Sequence, residues 1–199
     1  MLPAIFAVSL LAHAVVNAPL SRTAAAAPPA ASAAASATAT AGPSPGTPAA
    51  AVFEKLRALA GDWSGTYEWS GGRSGGGAIE VKYAVVARNS VVIETLIQGG
   101  EPTMTSVYHL DGADLRMTHY CAAQNQPRLK ASRIDAAHGE IDFAFVDVTN
   151  LASPTAGHVH GAEIRMPDAD HLTIVFLFLA GKNESRERLE LRRAGAAAS

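Results

Sequence analysis

The chain has 199 residues, a formal net charge of −2 and a single cysteine, Cys121. One cysteine excludes an intramolecular disulfide, and the absence of a long Lys/Arg cluster argues against a phosphate-backbone partner, so no nucleic-acid binding is expected. The first fifty or so residues are too poor in large apolar side chains to build a core, which leaves one domain.

Residues 2–16, Leu-Pro-Ala-Ile-Phe-Ala-Val-Ser-Leu-Leu-Ala-His-Ala-Val-Val, are too short an apolar run to span a bilayer and are followed by small residues. Residues 1–22 therefore read as an export signal, which implies a periplasmic or extracellular protein with no stable membrane insertion. No Lys or Arg precedes the run, and Ala12-His13-Ala14 and Ala25-Ala26-Ala27 both suit cleavage, so the cut stays open. Residues 23–51 are almost wholly Ala, Pro, Ser, Thr and Gly. That composition offers too little apolar surface to offset the entropy of ordering, and it predicts a disordered linker.

Val52, Phe53, Leu56, Leu59 and Ala60 recur at helical spacing, with Glu54, Lys55 and Arg57 on the other side, and predict two turns of amphipathic helix ended by Gly61. From Trp63 the period becomes two: Trp63, Gly65, Tyr67 and Trp69 share a face. The run from Gly71 to Gly77 predicts a mobile loop. Two segments, 78–87 and 90–98, carry Ile79, Val81, Tyr83 and Val85, then Val91, Ile93 and Ile97, at alternate positions and predict a hairpin turning near Arg88-Asn89.

Residues 103–110 and 115–121 flank Asp111-Gly112-Ala113-Asp114, where Gly112 supplies the positive φ of a tight turn. Further strands are expected near 127–134, 140–148, 158–166, 171–180 and 184–193, with Ile141, Phe143, Phe145 and Leu172, Ile174, Phe176, Phe178 as period-two faces. Short antiparallel strands joined by turns, with no helix between them, predict an all-β fold. The expected form is an up-and-down barrel of about ten strands over residues 52–193, with a short N-terminal helix and a tail at 194–199.

A short helix leading into Gly61-Asp62-Trp63, with a basic residue ending the last strand, resembles the calycin superfamily of lipocalins, fatty-acid-binding proteins and nitrobindins. The resemblance implies that Arg193, in phase with Leu189 and Leu191, packs across Trp63 and closes the barrel. Residues 118–128, Thr-His-Tyr-Cys-Ala-Ala-Gln-Asn-Gln-Pro-Arg, are similar to exported, lipocalin-like bacterial proteins of uncharacterised type. Nitrobindins bind haem through a histidine, but their further signature is missing here and haem is not carried over. The disulfides and second motif usual in lipocalins are absent too.

Alignment about Asp111-Gly112 pairs Tyr108 with Met117 and Ser106 with His119. The inner face then collects Met104, Tyr108, Leu110, Leu115, Met117, His119 and Cys121. His158 and His160 share parity with Ala162, Ile164 and Met166 and are expected to point inward. Tyr108, Met117, His119, Cys121, Arg128, His158 and His160 are the candidate ligand-binding residues, and His119, His158 and His160 the candidate metal ligands. Cys121 reads chiefly as a small buried hydrophobe. Asn125, Gln126 and Arg128 either close the mouth or form a polar loop with an exposed arginine. The carboxylates Asp111, Asp114, Asp168 and Asp170 fall in turns, and neither a phosphate loop nor a nucleophile motif is present.

The favoured reading is a non-enzymatic barrel carrying a small apolar or amphipathic ligand, with the cofactor unknown. A metal- or haem-binding barrel using inward histidines is the first alternative. The second is a filled barrel acting as an interaction module. Val175, Leu177 and Leu179 face outward and need cover, from the helix or from a second copy in a homodimer.

Overall fold

The structure, a computed structural model, describes residues 46–195. The export-signal reading of 1–22, most of the linker and residues 196–199 of the tail lie outside the described residues. Helix α1 (Pro48–Ala58) begins four residues before the expected Val52. Its start has a local cause: the Thr47 hydroxyl accepts from the Ala50 N–H at 3.1 Å, and Pro48, which lacks an N–H, sits in the first turn. Ala49, Val52, Phe53 and Leu56 form the buried stripe of α1.

Ten strands follow: β1 (Gly61–Gly71), β2 (Gly75–Val86), β3 (Val91–Gln98), β4 (Glu101–Asp111), β5 (Asp114–Tyr120), β6 (Gln126–Asp135), β7 (Glu140–Thr149), β8 (His158–Arg165), β9 (His171–Ala180) and β10 (Asn183–Arg193). Each pairs antiparallel with the next, and β1 with β10, closing a barrel that leaves no free edge. The hairpin register is as expected, Tyr108 opposite Met117 and Ser106 opposite His119.

The meander puts α1, the start of β1 and the end of β10 at one end and the β1–β2, β3–β4, β5–β6, β7–β8 and β9–β10 connections at the other. Helix α1 packs on β4, β5 and β6 and stoppers the first end. There the Arg193 guanidinium lies 4.5 Å from the centroid of the Trp63 ring, as the calycin resemblance implies. Arg193 also donates to the carbonyls of Ala58, Ala60 and Ala169, and Trp63 Nε1 donates to Leu59 O at 2.8 Å. The bonds to Ala58, Leu59 and Ala60 satisfy carbonyls that the end of α1 leaves without intrahelical donors, and the bond to Ala169 ties in the β8–β9 turn.

Three local expectations change. Gly75–Gly77 belong to β2, and the loop shrinks to residues 72–74. A Cβ on Gly76 would stand 2.5 Å from Tyr67 O, so Gly76 serves close strand approach, while Gly75, with φ of 115°, serves the turn. In β3 the inner row is Val92, Glu94 and Leu96, while Val91, Ile93 and Ile97 face out. Both faces of β3 are apolar enough for either choice, and Glu94 goes inside because Tyr83 and Tyr108 carry hydroxyls to meet it. Finally, α1 covers the barrel end and leaves the outward, half-buried row of Val175, Leu177 and Leu179 on β9 uncovered by the helix.

Candidate functional site

At the end away from α1 the barrel opens into a cavity of about 360 Å³. Its lining comes from the inward rows of β1 (Tyr67, Trp69), β8 (Val159), β9 (Phe176, Phe178) and β10 (Glu187), with Met104, Gln98 and the turn after β5 around Cys121. The volume is at the lower end of the range for small-molecule sites, about 300–1,000 Å³. Below it the interior is filled by Leu96, Leu129, Phe143, Ile174, Leu189 and their neighbours.

The cavity wall carries one carboxyl. Glu187 alternates with Ser185, Leu189 and Leu191 along β10, lies opposite Trp69 and Phe176, and is 3 % exposed. Burial pushes its pKa up to about 7, against the pull of the Arg73 charge. Arg73 rides on the short β1–β2 turn, whose flanking Gly71 and Gly75 take φ of 83° and 115°. Its guanidinium sits 3.9 Å from the centroid of Phe178 and 4.8 Å from that of Trp69. Those two rings are 6.0 Å apart and nearly perpendicular, so they form a corner with the cation between them.

Deeper in the wall is a second polar group of side chains. Glu94 is wholly buried and its Oε2 accepts from Tyr83 at 2.5 Å and Tyr108 at 2.9 Å, while Oε1 has no partner. Burial raises its pKa, opposed by the hydroxyls of Tyr83, Ser106 and Tyr108. Ser106 Oγ and His119 Nδ1 share a hydrogen bond of 3.0 Å, and the His119 ring packs 5.0 Å from that of Phe176. Burial lowers the His119 pKa to about 4 and leaves Nε2 without a hydrogen bond.

Of the residues expected to bind a ligand, Cys121 lines the cavity. Burial raises its thiol pKa, the opposite of what a nucleophilic thiol requires. Tyr108, Met117 and His119 are inside the barrel as expected, in the packed wall below the cavity. Arg128 is on the outer surface, paired through two 2.5 Å hydrogen bonds with Asp147. Asn125 is buried and donates to Gly157 O at 2.9 Å, tying the β5–β6 turn to the β7–β8 loop at the open end.

His158 and His160 do not enter the cavity. A bulge between Val159 and Gly161 inserts an extra residue into β8, so Val159, paired with the inward Phe178, points inside, while His158 pairs with the outward Leu179. One extra residue reverses a period-two face, which is why parity counted back from Ile164 fails there. His158 Nε2 and His160 Nδ1 instead meet at 3.2 Å, and the His160 ring stacks 4.4 Å from Phe145.

The bulge also separates the expected metal set, for His119 is walled inside and the other two are not. Among the described residues no group of three His, Cys, Asp or Glu side chains is placed to hold a metal ion. No imidazole lines the cavity, so its side chains do not fit a histidine-ligated haem. The residues that do shape the site, Glu187 and Arg73, are not among those expected from the sequence. The available signal is phase: Glu187 is in step with the inward Leu189 and Leu191.

No protein-family model and no curated protein matches this chain. Among solved structures, the chain is similar to Rv2717c from M. tuberculosis, with a TM-score of 0.54 and 14 % identity over 71 % of this chain and 96 % of that one. A protein of unknown function from the DUF3598 family of Nostoc punctiforme aligns with a TM-score of 0.47 and 11 % identity, over 70 % of this chain and 49 % of the other. At 14 % identity the likeness to Rv2717c is one of fold, the closed antiparallel barrel. Among the described residues no helix is long and apolar enough to cross a membrane.

Proposed function

We propose that this chain is an exported, non-enzymatic binding protein that holds one small amphipathic molecule in the open-end cavity. The observation that carries the reading is the cavity itself: about 360 Å³ walled by Tyr67, Trp69, Phe176 and Phe178, with a single buried carboxyl to orient what enters. Concave walls that are mostly aromatic, with few polar groups among them, are the features of a small-molecule site. The export part of the reading rests on the apolar run at residues 2–16.

Native mass spectrometry of protein from its own host, together with uptake of a neutral fluorescent dye, tests the binding. A co-purifying small molecule or saturable uptake is expected. Alkylating Cys121, the one thiol of the chain and part of the cavity wall, with a bulky maleimide should abolish uptake. No bound molecule and no uptake, or uptake indifferent to the alkylation, would reject the cavity as the site.

A further inference from the structure

We propose that the molecule taken by this cavity is an organic cation, an aromatic or alkyl ammonium, and that Arg73 occupies its seat in the free protein. The proposal rests on the cavity being the binding site. Three features converge on it. The faces of Trp69 and Phe178 form a two-walled corner, and aromatic faces attract cations through their negative quadrupole. A guanidinium already lies in that corner, which shows that its geometry accepts a planar or compact cation. The carboxyl of Glu187 stands in the same cavity and opposite Trp69 in the register.

The charges around Glu187 favour this class over an anion. Among the described residues Arg73 is the one charge acting to keep Glu187 ionised. The strand neighbours that flank Glu187, Trp69 on β1 and Phe176 on β9, are uncharged, and the other titratable groups in the wall besides Arg73 are the Cys121 thiol and the Tyr67 phenol. Glu187 is fixed in a strand and buried, whereas Arg73 is exposed on a turn held by two glycines with positive φ. Of the two charges, Arg73 is the one built to leave. A ligand cation that displaces it takes over both ring faces and stands in the same cavity as the carboxylate, while an anion would have to sit beside Glu187.

Binding of such a cation also draws the Glu187 proton off, because a positive charge in contact favours the carboxylate. Affinity should therefore rise with pH through 7 and level off above it.

The test uses three probes of nearly one size on the full chain: 2-naphthylmethylammonium, 2-naphthylmethanol and 2-naphthoate, titrated by calorimetry at pH 6 and pH 8. At pH 8 the ammonium is expected to bind at least about tenfold more tightly than the alcohol, the size of a desolvated cation–π contact joined to a charge pair. Glu187→Gln should erase most of that advantage, and Arg73→Ala should tighten ammonium binding by removing the competitor. If the alcohol binds as well as the ammonium, or 2-naphthoate binds best and Arg73→Ala weakens it, the cation assignment is overturned while the binding site stands. If none of the three probes binds and no neutral dye is taken up, the binding site itself is overturned, and the cation assignment with it.

Discussion

Replacing Glu187 with Gln should stabilise the protein at high pH and leave it unchanged at low pH. The carboxyl is 3 % exposed and its pKa is moved from 4.5 to about 7 by burial. Between those two values the folded protein keeps a proton that the unfolded chain has released. Stability therefore falls as pH rises through this window and is flat above it. At about 1.4 kcal/mol per pH unit the full cost of ionising Glu187 in the fold is about 3 kcal/mol. Water entering through the cavity mouth reduces the penalty, so a gain of about 1–3 kcal/mol is expected for the Gln variant at pH 8. Urea unfolding followed by tryptophan fluorescence, at pH steps from 4.5 to 8.5, measures it directly. The two proteins should coincide near pH 4.5 and diverge up to about pH 7.5, with a constant gap above. Parallel curves across the range, or a variant less stable at pH 8, would show that Glu187 is ionised in the fold without cost and that the burial argument fails.

Three other outcomes follow from the buried groups and the seam. Tyr83→Phe removes the 2.5 Å hydrogen bond to Glu94 and should cost about 2 kcal/mol in urea unfolding, because a buried carboxyl loses one of its two phenol donors. A change below about 0.5 kcal/mol would mean that Glu94 finds another donor. Arg193→Ala strips the cation from Trp63 and leaves the carbonyls of Ala58, Ala60 and Ala169 without their donor, so a loss of about 2–3 kcal/mol and a shifted tryptophan emission are expected. The pKa of His119 is lowered to about 4, so its imidazole should show neutral nitrogen shifts by NMR from pH 8 down to pH 5. Stability linked to His119 should decline as pH falls from 6.5 toward 4, since the unfolded chain takes up that proton first. An imidazole titrating near 6.5 would place His119 in contact with water.

The amino-acid sequence determined the architecture because most of its information is periodic and local. Alternation marks ten strands, Asp111-Gly112 fixes one hairpin register, and Trp63 and Arg193 mark the closing seam, all as the barrel displays them. Helix α1 needed only its cap, and the Thr47-Pro48 pair that sets its start is present in the sequence. What the tertiary structure decided is which polar groups sit where alternation is broken or ambiguous. The β8 bulge carried His158 and His160 out of the cavity and put Val159 in, a change of one residue that no periodic count detects. Glu94 and Glu187 went inside against their hydropathy. Glu94 was met by hydroxyls from β2 and β4, and Glu187 faces a cavity whose nearest cation comes from a turn more than a hundred residues away in the chain. Burial of a charge depends on partners that only closure of the barrel brings together, and so phase could mark Glu187 as inward while its cavity and its cation could be read only from the folded chain.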